Sequence, residues 1–444
     1  MLFVLPFLAC APPAPGDIGH GDGSDAPTWH QDVAPIVSEA CTSCHEQGGI
    51  APFTLSSYDD AAPMATAIAE AVESRRMPPW GAQTTEECTP RVGFSGDQRL
   101  ADEEIAIVVD WAEAGAPEGD PATAAPLVEP QVPTINDDLS LFPTTPHLTA
   151  GDTDQILCRP VDPGFTETTW VTGVEVLPGD LSVVHHVVVY VDPHAESDAL
   201  VDDNGTYDCF SAAGVSDETA LAVWVPGAYP TVPPENSGFP VAAGSRLVLQ
   251  MHYHPAGSTG TPDTTGVRLD ITTEAPRKTA YLTGVGNAAG AAAGLLPGDG
   301  DRGSRAEFRV PANAPDHVES MDIDLPTVKR RYDVWSVEAH MHMVGVDMLA
   351  TVEHTDPEVG IDEECLLHEP AWDFDWQRLY SYDGKGVTIG EGDIIHLRCE
   401  YDNTLANPGV VRALDDAGLD EPTDVFLGES SYDEMCVLIF GITY

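Results

Sequence analysis

Gln250-Met251-His252-Tyr253-His254 alternates polar and apolar side chains in the middle of a β-branched, aliphatic run. On a strand, successive side chains point to opposite faces, so His252 and Met251 part company there. Two more histidine clusters flank it. Upstream, His185-His186 heads the run Val187-Val188-Val189-Tyr190; downstream stands His340-Met341-His342-Met343, followed much later by Met435 in Asp433-Glu434-Met435-Cys436. Residues i and i+2 of a strand share a face, so His340 and His342 can grip one metal together. Adjacent His185 and His186 share one only at a strand end, at a bulge, or through different ring nitrogens. Imidazole joined by a thioether is a copper ligand set, since soft sulfur holds Cu(I) and imidazole suits both oxidation states. Met251, Met341 and Met343 alternate with the histidines and are expected in the core. The isolated His20, His147, His194, His317, His354, His368 and His396 are expected at the surface or hydrogen-bonded, not on a metal.

Around these clusters the chain reads as short β-rich runs between Gly, Pro and Asp turns. Trp170–Leu177, His186–Val191, Arg246–His254 and Val267–Ile271 form one set. Thr279–Val285, Arg305–Val310, Tyr332–Met341, Met348–Glu353, Ile394–Tyr401 and Cys436–Tyr444 form a second. Such spacing predicts antiparallel sandwiches. Some 300 residues of it exceed one sandwich, which predicts two, at 138–275 and 276–444. Forty Gly and 38 Pro among 444 residues fit strands and turns better than a helical protein. The formal charge is −54, and the only lysines are Lys278, Lys329 and Lys385. That surface repels nucleic acid and anionic membrane.

The first 120 residues follow another pattern. Cys41-Thr42-Ser43-Cys44-His45 is C-x-x-C-H, the attachment motif of a c-type haem: two thiols for the two vinyl groups and an imidazole for the iron. Val33, Ile36, Val37 and Ala40 precede it at helical spacing. A second helix is predicted over Tyr58–Ser74 and a third over Asp102–Glu113, stopping at Gly115-Ala116-Pro117. Between them, Arg76-Met77-Pro78-Pro79 offers Met77 as the ligand opposite His45. Residues 28–120 therefore resemble a small class I cytochrome c. A Pro/Ala-rich linker, 121–137, follows. Residues 1–27 read as a signal and tether: Met1 to Ala9 is apolar but shorter than a membrane span. Leu8-Ala9-Cys10 is similar to a bacterial lipoprotein processing site that would lipidate Cys10. The expected location is export: periplasmic, outer-membrane or extracellular in a bacterium, with membrane contact only through that anchor. Nine cysteines in such a chain suggest disulfides among Cys88, Cys158, Cys209, Cys365, Cys399 and Cys436, which spacing alone does not pair.

From about Asp138 onward the chain resembles the copper type II, ascorbate-dependent monooxygenases, the family of peptidylglycine α-hydroxylating monooxygenase and dopamine β-hydroxylase. Four elements occur in the family's order: the double His, the Gln-x-His-Tyr strand, the His-x-His strand followed by Gly345, and Asp-Glu-Met-Cys. The resemblance implies two jelly-roll-like sandwiches, with His185, His186 and His252 holding an electron-transfer copper. It implies that His340, His342 and Met435 hold the copper where oxygen is activated, and that Cys158 pairs with Cys209 and Cys399 with Cys436. Cys88 and Cys365 are left to pair or stay free. Glu338 stands where the peptide-amidating enzyme has a carboxylate-clamping arginine, and Val437 and Ile439 where it has Asn and Tyr. A C-terminal glycine peptide is thus not the expected substrate. His254 makes a second His-x-His outside the family pattern, and His252 is preferred as the ligand.

The expected fold is thus a small all-α cytochrome c-like domain followed by two all-β sandwiches. The expected function is hydroxylation of a C–H bond in a small organic substrate with molecular oxygen, using two copper ions and one covalent haem c fed by an external electron donor. The rival from another class is a noncatalytic exported copper and haem electron carrier or copper-binding protein.

Overall fold

The computed structural model describes residues 26–444 apart from 50, 129–132, 150, 152–153, 210–211, 255–261, 289–293, 326–330, 357–359 and 431. Cys10, His20 and most of the 1–27 segment lie outside the described residues. What is described is mostly β-sandwich, with a few short helices.

A five-stranded antiparallel sheet runs in the order Tyr207–Asp208, Gln155–Val161, Arg246–Tyr253, Val184–Asp192, Thr219–Trp224. Leu247, Leu249, Met251 and Tyr253 alternate into the core beneath it, where they meet Val171, Val174, Val267 and Phe239 of a facing sheet. A four-stranded sheet, His317–Asp324, Ile394–Tyr401, Gly345–Glu353 and Glu363–Glu369, covers a second core. The division expected near residue 275 falls in the turn between strands Gly266–Thr272 and Lys278–Asn287. The two halves are nonetheless not separate sandwiches. Lys278 and Thr279 pair in parallel with Ser237 and Gly238, and this joins both inner sheets into one nine-stranded sheet. Of the run expected over Arg305–Val310, only Arg309–Val310 is strand.

The helices gather around their own core, built on Trp29, Ile36, Val37, Ile68, Val72, Val108 and Trp111. Asp102–Glu113 and Ala65–Glu73 follow the predicted spans, and Ala62–Met64 is a 3₁₀ turn in the second. The start of the expected linker docks here, with Ala125 N–H donating to His30 O (2.8 Å). Residues 77–99 do not stay in this module. They run out as an arm over the second sandwich, where Trp80 and Ala82 join its core. There Gly81 N–H donates to Tyr380 Oη (3.0 Å), and Cys88 is disulfide-bonded to Cys365. Cys158–Cys209 and Cys399–Cys436 are the other two disulfides, as the resemblance implied. Among the described residues, no helix is long and apolar enough to cross a membrane.

Candidate functional site

The first histidine group forms on neighbouring antiparallel strands. His186 lies opposite His252, and the register slips between Val184 and His186. That bulge solves the problem posed by two adjacent histidines, because an extra residue re-aims its side chain. His185 Nδ1 and His252 Nδ1 each stand 3.3 Å from His186 Nδ1. Candidate ligand atoms of all three rings lie within 4.8 Å of one another. Burial, then the neighbouring His252, lowers His185 to about 4, and burial, then His252, also lowers His186 well below the ordinary value. Neutral rings keep the lone pairs a metal needs.

Asp154 orients this group. Its carboxylate oxygens stand 2.9 Å from His252 Nε2 and 2.6 Å from His254 Nδ1. Burial would raise Asp154, but bonds and charge from His252 and His254 prevail and hold it well below the usual carboxylate range. With His252 Nε2–H donating to Asp154, Nδ1 is left facing the other two rings. His254 is exposed and sits outside the three-histidine group, as the second residue on Asp154.

The second group lies across a cleft of about 370 Å³, lined from one side by His186, Gln250 and His252 and from the other by His340, His342 and Met435. On the strand Tyr332–His340, Val337 and Ala339 enter the core, which turns Glu338 and His340 to the cleft. Met251, Met341 and Met343 are buried in the two cores, as their alternation predicted. The two imidazoles cross nearly at right angles, centroids 5.4 Å apart. His340 Nδ1 stands 2.6 Å from Gln377 Oε1, and His342 Nδ1 3.1 Å from Asp433 O. Gln377 donates its amide to Phe374 O (3.0 Å), which fixes Oε1 toward His340. Both Nε2 atoms are thereby left as acceptors. Burial lowers His340 to about 4 and lowers His342 as well.

Glu434 ties this group together. Its carboxylate accepts from the backbone N–H of His342, Val344, Gly345 and Met435 at 2.8–3.0 Å. The turn after His340 and the turn carrying Met435 thus share one buried carboxyl group, which burial raises to about 7 against the pull of these four bonds. Met435 O accepts from Tyr401 Oη (2.8 Å), and Cys436 is bonded to Cys399. Glu338 is buried on the cleft wall with Oε2 unpartnered, and burial raises it to about 8.

In the helical module Cys41 and Cys44 carry free thiols. Cys41 ends the helix Ala34–Ala40, and the next turn closes with His45 N–H on Cys41 O (2.9 Å). His45 Nδ1 lies 3.1 Å from Phe53 O, leaving Nε2 available. Burial, then Cys44, pushes the Cys41 thiol up to about 12; burial also raises Cys44. Met77 is half-buried at the root of the arm, its N–H on Ala71 O (3.1 Å).

Among the described residues, three other histidines are held by buried or half-buried carboxylates: His354 between Asp393 (3.2 Å) and Glu364 (3.3 Å), His317 by Glu319 (2.8 Å), His368 by Asp347 (3.1 Å). Asp154, Gln377 and Glu434 were not singled out from sequence. Glu434 sits inside a quoted motif, whereas Asp154 and Gln377 lie 98 and 37 residues from the histidines they hold, with no local pattern to mark them.

Comparison with protein-family models and with curated proteins finds no match. Among solved structures, the major capsid protein P2 from bacteriophage PM2 aligns with 69% of this chain and 96% of its own, at 8% identity and a TM-score of 0.25. The Macrobrachium rosenbergii nodavirus structure aligns with 73% of this chain and 97% of its own, at 12% identity and a TM-score of 0.16. Neither likeness bears on the site.

Proposed function

We propose that the chain is a copper-dependent monooxygenase of the type II family, hydroxylating a C–H bond of a small organic substrate with molecular oxygen. Its electrons arrive through a covalent haem in a cytochrome c-like N-terminal module, and the molecule works outside the cytoplasm, where its three disulfides persist. The observation that carries this is one cleft with two unlike imidazole groups on its walls, one all-histidine and one with a thioether. An electron carrier needs only one such group.

The donor sets fit the groups they would hold. His185, His186 and His252 converge with ligand atoms close together, and His340 and His342 have their Nδ1 atoms already engaged beside Met435. Cys41, Cys44 and His45, with Met77, suit a c-type haem. Copper held there supplies oxygen activation on the thioether side and one-electron transfer on the other. The remaining work belongs to the chain. Val437, Ile439, Leu282 and Phe374 make the cleft wall apolar and exclude water from a bound substrate. Glu338 stands on the same cleft wall, where its carboxyl can meet a polar atom of that substrate and so turn a chosen C–H bond toward Met435.

The test uses the full chain made in a host that attaches c-type haem, loaded with copper and reduced. Expected are two copper ions and one haem per chain, the haem surviving denaturing electrophoresis. With ¹⁸O₂ and a panel of small benzylic and aliphatic compounds, one labelled oxygen atom should enter the product. Stoichiometric metal with no oxygen uptake across the panel would favour the carrier instead.

A further inference from the structure

One short segment runs beside both histidine groups and comes near Cys44 of the C-x-x-C-H motif. It begins at the 3₁₀ turn Phe374–Trp376, held by Asp373, whose carboxylate accepts from Asp375 N–H (3.0 Å), and by Arg412, which pairs with Asp375 (2.8 Å). Asp375 stands 3.6 Å from His185 Nε2. Two residues on, Gln377 Oε1 is 2.6 Å from His340 Nδ1. The next residue, Arg378, reaches the opposite way. Its guanidinium and Cys44 Sγ flank Gly227, 3.6 and 3.7 Å from where a Cβ would stand. Arg378 is also 5.3 Å from the Trp80 ring centroid and 3.3 Å from Gln98 Oε1.

Arg378 is half-buried. Among the described residues it forms no ion pair, and its partial removal from water lowers its pKa. A cation set back from water without a carboxylate is costly unless something stabilises it. Here the neighbours are a tryptophan face, an amide and a thiol of the C-x-x-C-H motif. The segment is also fixed at its far end, where Tyr380 pairs with Val337 of the His-x-His strand and its hydroxyl holds the arm at Gly81.

We propose that Asp375–Arg378 is the electron bridge between the haem module and the copper cleft. Arg378 stands near Cys44, where a haem's thioether bond would form, and Gln377 is the positioning residue that hands the path to His340. The proposal rests on the haem and copper assignment above and adds a route to it. In the step, one electron leaves ferrous haem, which becomes ferric, and one Cu(II) becomes Cu(I); no atom or proton moves. Electrons travel better through covalent and hydrogen bonds than through gaps. Cys44 and Arg378 both border Gly227, Arg378 to Gln377 is covalent, and Gln377 to His340 is a short hydrogen bond. The contact to His185 is longer, so the group with Met435 is the nearer acceptor. That differs from a scheme in which every electron must first pass the three-histidine group.

The experiment follows haem oxidation by its visible bands, without oxygen, after copper-loaded protein with ferrous haem and Cu(II) is generated by a flash-released reductant. Gln377→Leu is expected to slow reoxidation at least about tenfold and to change the electron paramagnetic signal of one copper. Gln377→Glu keeps the oxygen facing His340 and is expected to restore most of the rate. Arg378→Met touches no copper ligand and is expected to slow reoxidation with copper content, haem content and haem spectrum unchanged, so the bridge is read there even where Gln377→Leu disturbs its copper. His252→Ala is expected to leave the first phase of reoxidation intact. Loaded variants at positions 377 and 378 that transfer at the parental rate would overturn the bridge alone. A chain that takes up neither haem nor copper would overturn the bridge together with the assignment beneath it.

Discussion

Asp154 shows how much chemistry one carboxylate decides. It meets both His252 and His254, and so leaves only His252 of that His-x-His pair facing the other two imidazoles. Removing it by Asp154→Ala should weaken copper at the three-histidine group about 10–100-fold, while His254→Ala should barely change it. Competition titration with a Cu(I) chelator reads both, and equal losses would mean that His254 is a ligand after all. At the other group, under the proposed function, Met435 would supply the soft donor. Met435→Ala should lower Cu(I) affinity there, abolish turnover and leave the three-histidine copper and the haem in place. A buried Met→Ala change also costs about 2–5 kcal/mol, so thermal unfolding of the variant must accompany the titration. If a folded variant hydroxylates at the parental rate, oxygen is activated elsewhere. That His185, His186 and His252 come together, and that His340, His342 and Met435 line one cleft, was expected from strand alternation and, for Met435, from the family resemblance. The residues that orient them were not, because hydrogen-bond partners arrive from distant parts of the chain.

Among elements, the strands with strict alternation were read within a residue or two: Arg246–Tyr253, Ile394–Tyr401 and Cys436–Thr443. Gln155–Val161 was not marked, since Arg159 and Pro160 blur its pattern, although it lies inside the five-stranded sheet. The helix Pro408–Ala417 was also unmarked, its apolar face only Val410, Ala413 and Leu414. A bulge at Val184/His186 is a register property, visible only once the partner strand is known. Between elements, the Glu434 carboxylate is the chief fastening. Glu434→Gln substitutes one acceptor oxygen for two and faces an N–H₂ toward backbone donors. Each buried donor left unpaired costs about 1–3 kcal/mol, so the variant should lose several kcal/mol in denaturant unfolding. It should also bind Cu(I) more weakly at His340 and His342 although no ligand has changed. An unaltered midpoint would show that the two turns are held by their neighbours instead.

Across the whole molecule, the helical module and the second sandwich meet around Glu369, Tyr380 and the 77–99 arm. Glu369 is buried with Oε1 unpartnered, and burial, then Glu338, raises its pKa well above the ordinary value. The folded chain thus keeps a proton that the unfolded chain releases in the ordinary carboxylate range, so stability falls as pH rises above that range. Glu369→Gln should flatten this decline and raise the unfolding temperature most at alkaline pH; parallel pH curves for both proteins would count against it. The sequence showed the composition change that separates the modules but not their embrace, because an arm crossing to a strand 277 residues later leaves no local signature. That embrace limits how the protein can be cut. A recombinant fragment starting after residue 120 looks like a natural way to isolate the oxygen chemistry. It would strip Trp80 and Ala82 from the second core and orphan Cys365. Under oxidising conditions such a fragment should cross-link to a second copy, visible as a dimer that reductant dissolves, and Cys365→Ser should suppress it. The two parts of this chain are therefore poor candidates for exchange between proteins, whatever their boundary in sequence suggests.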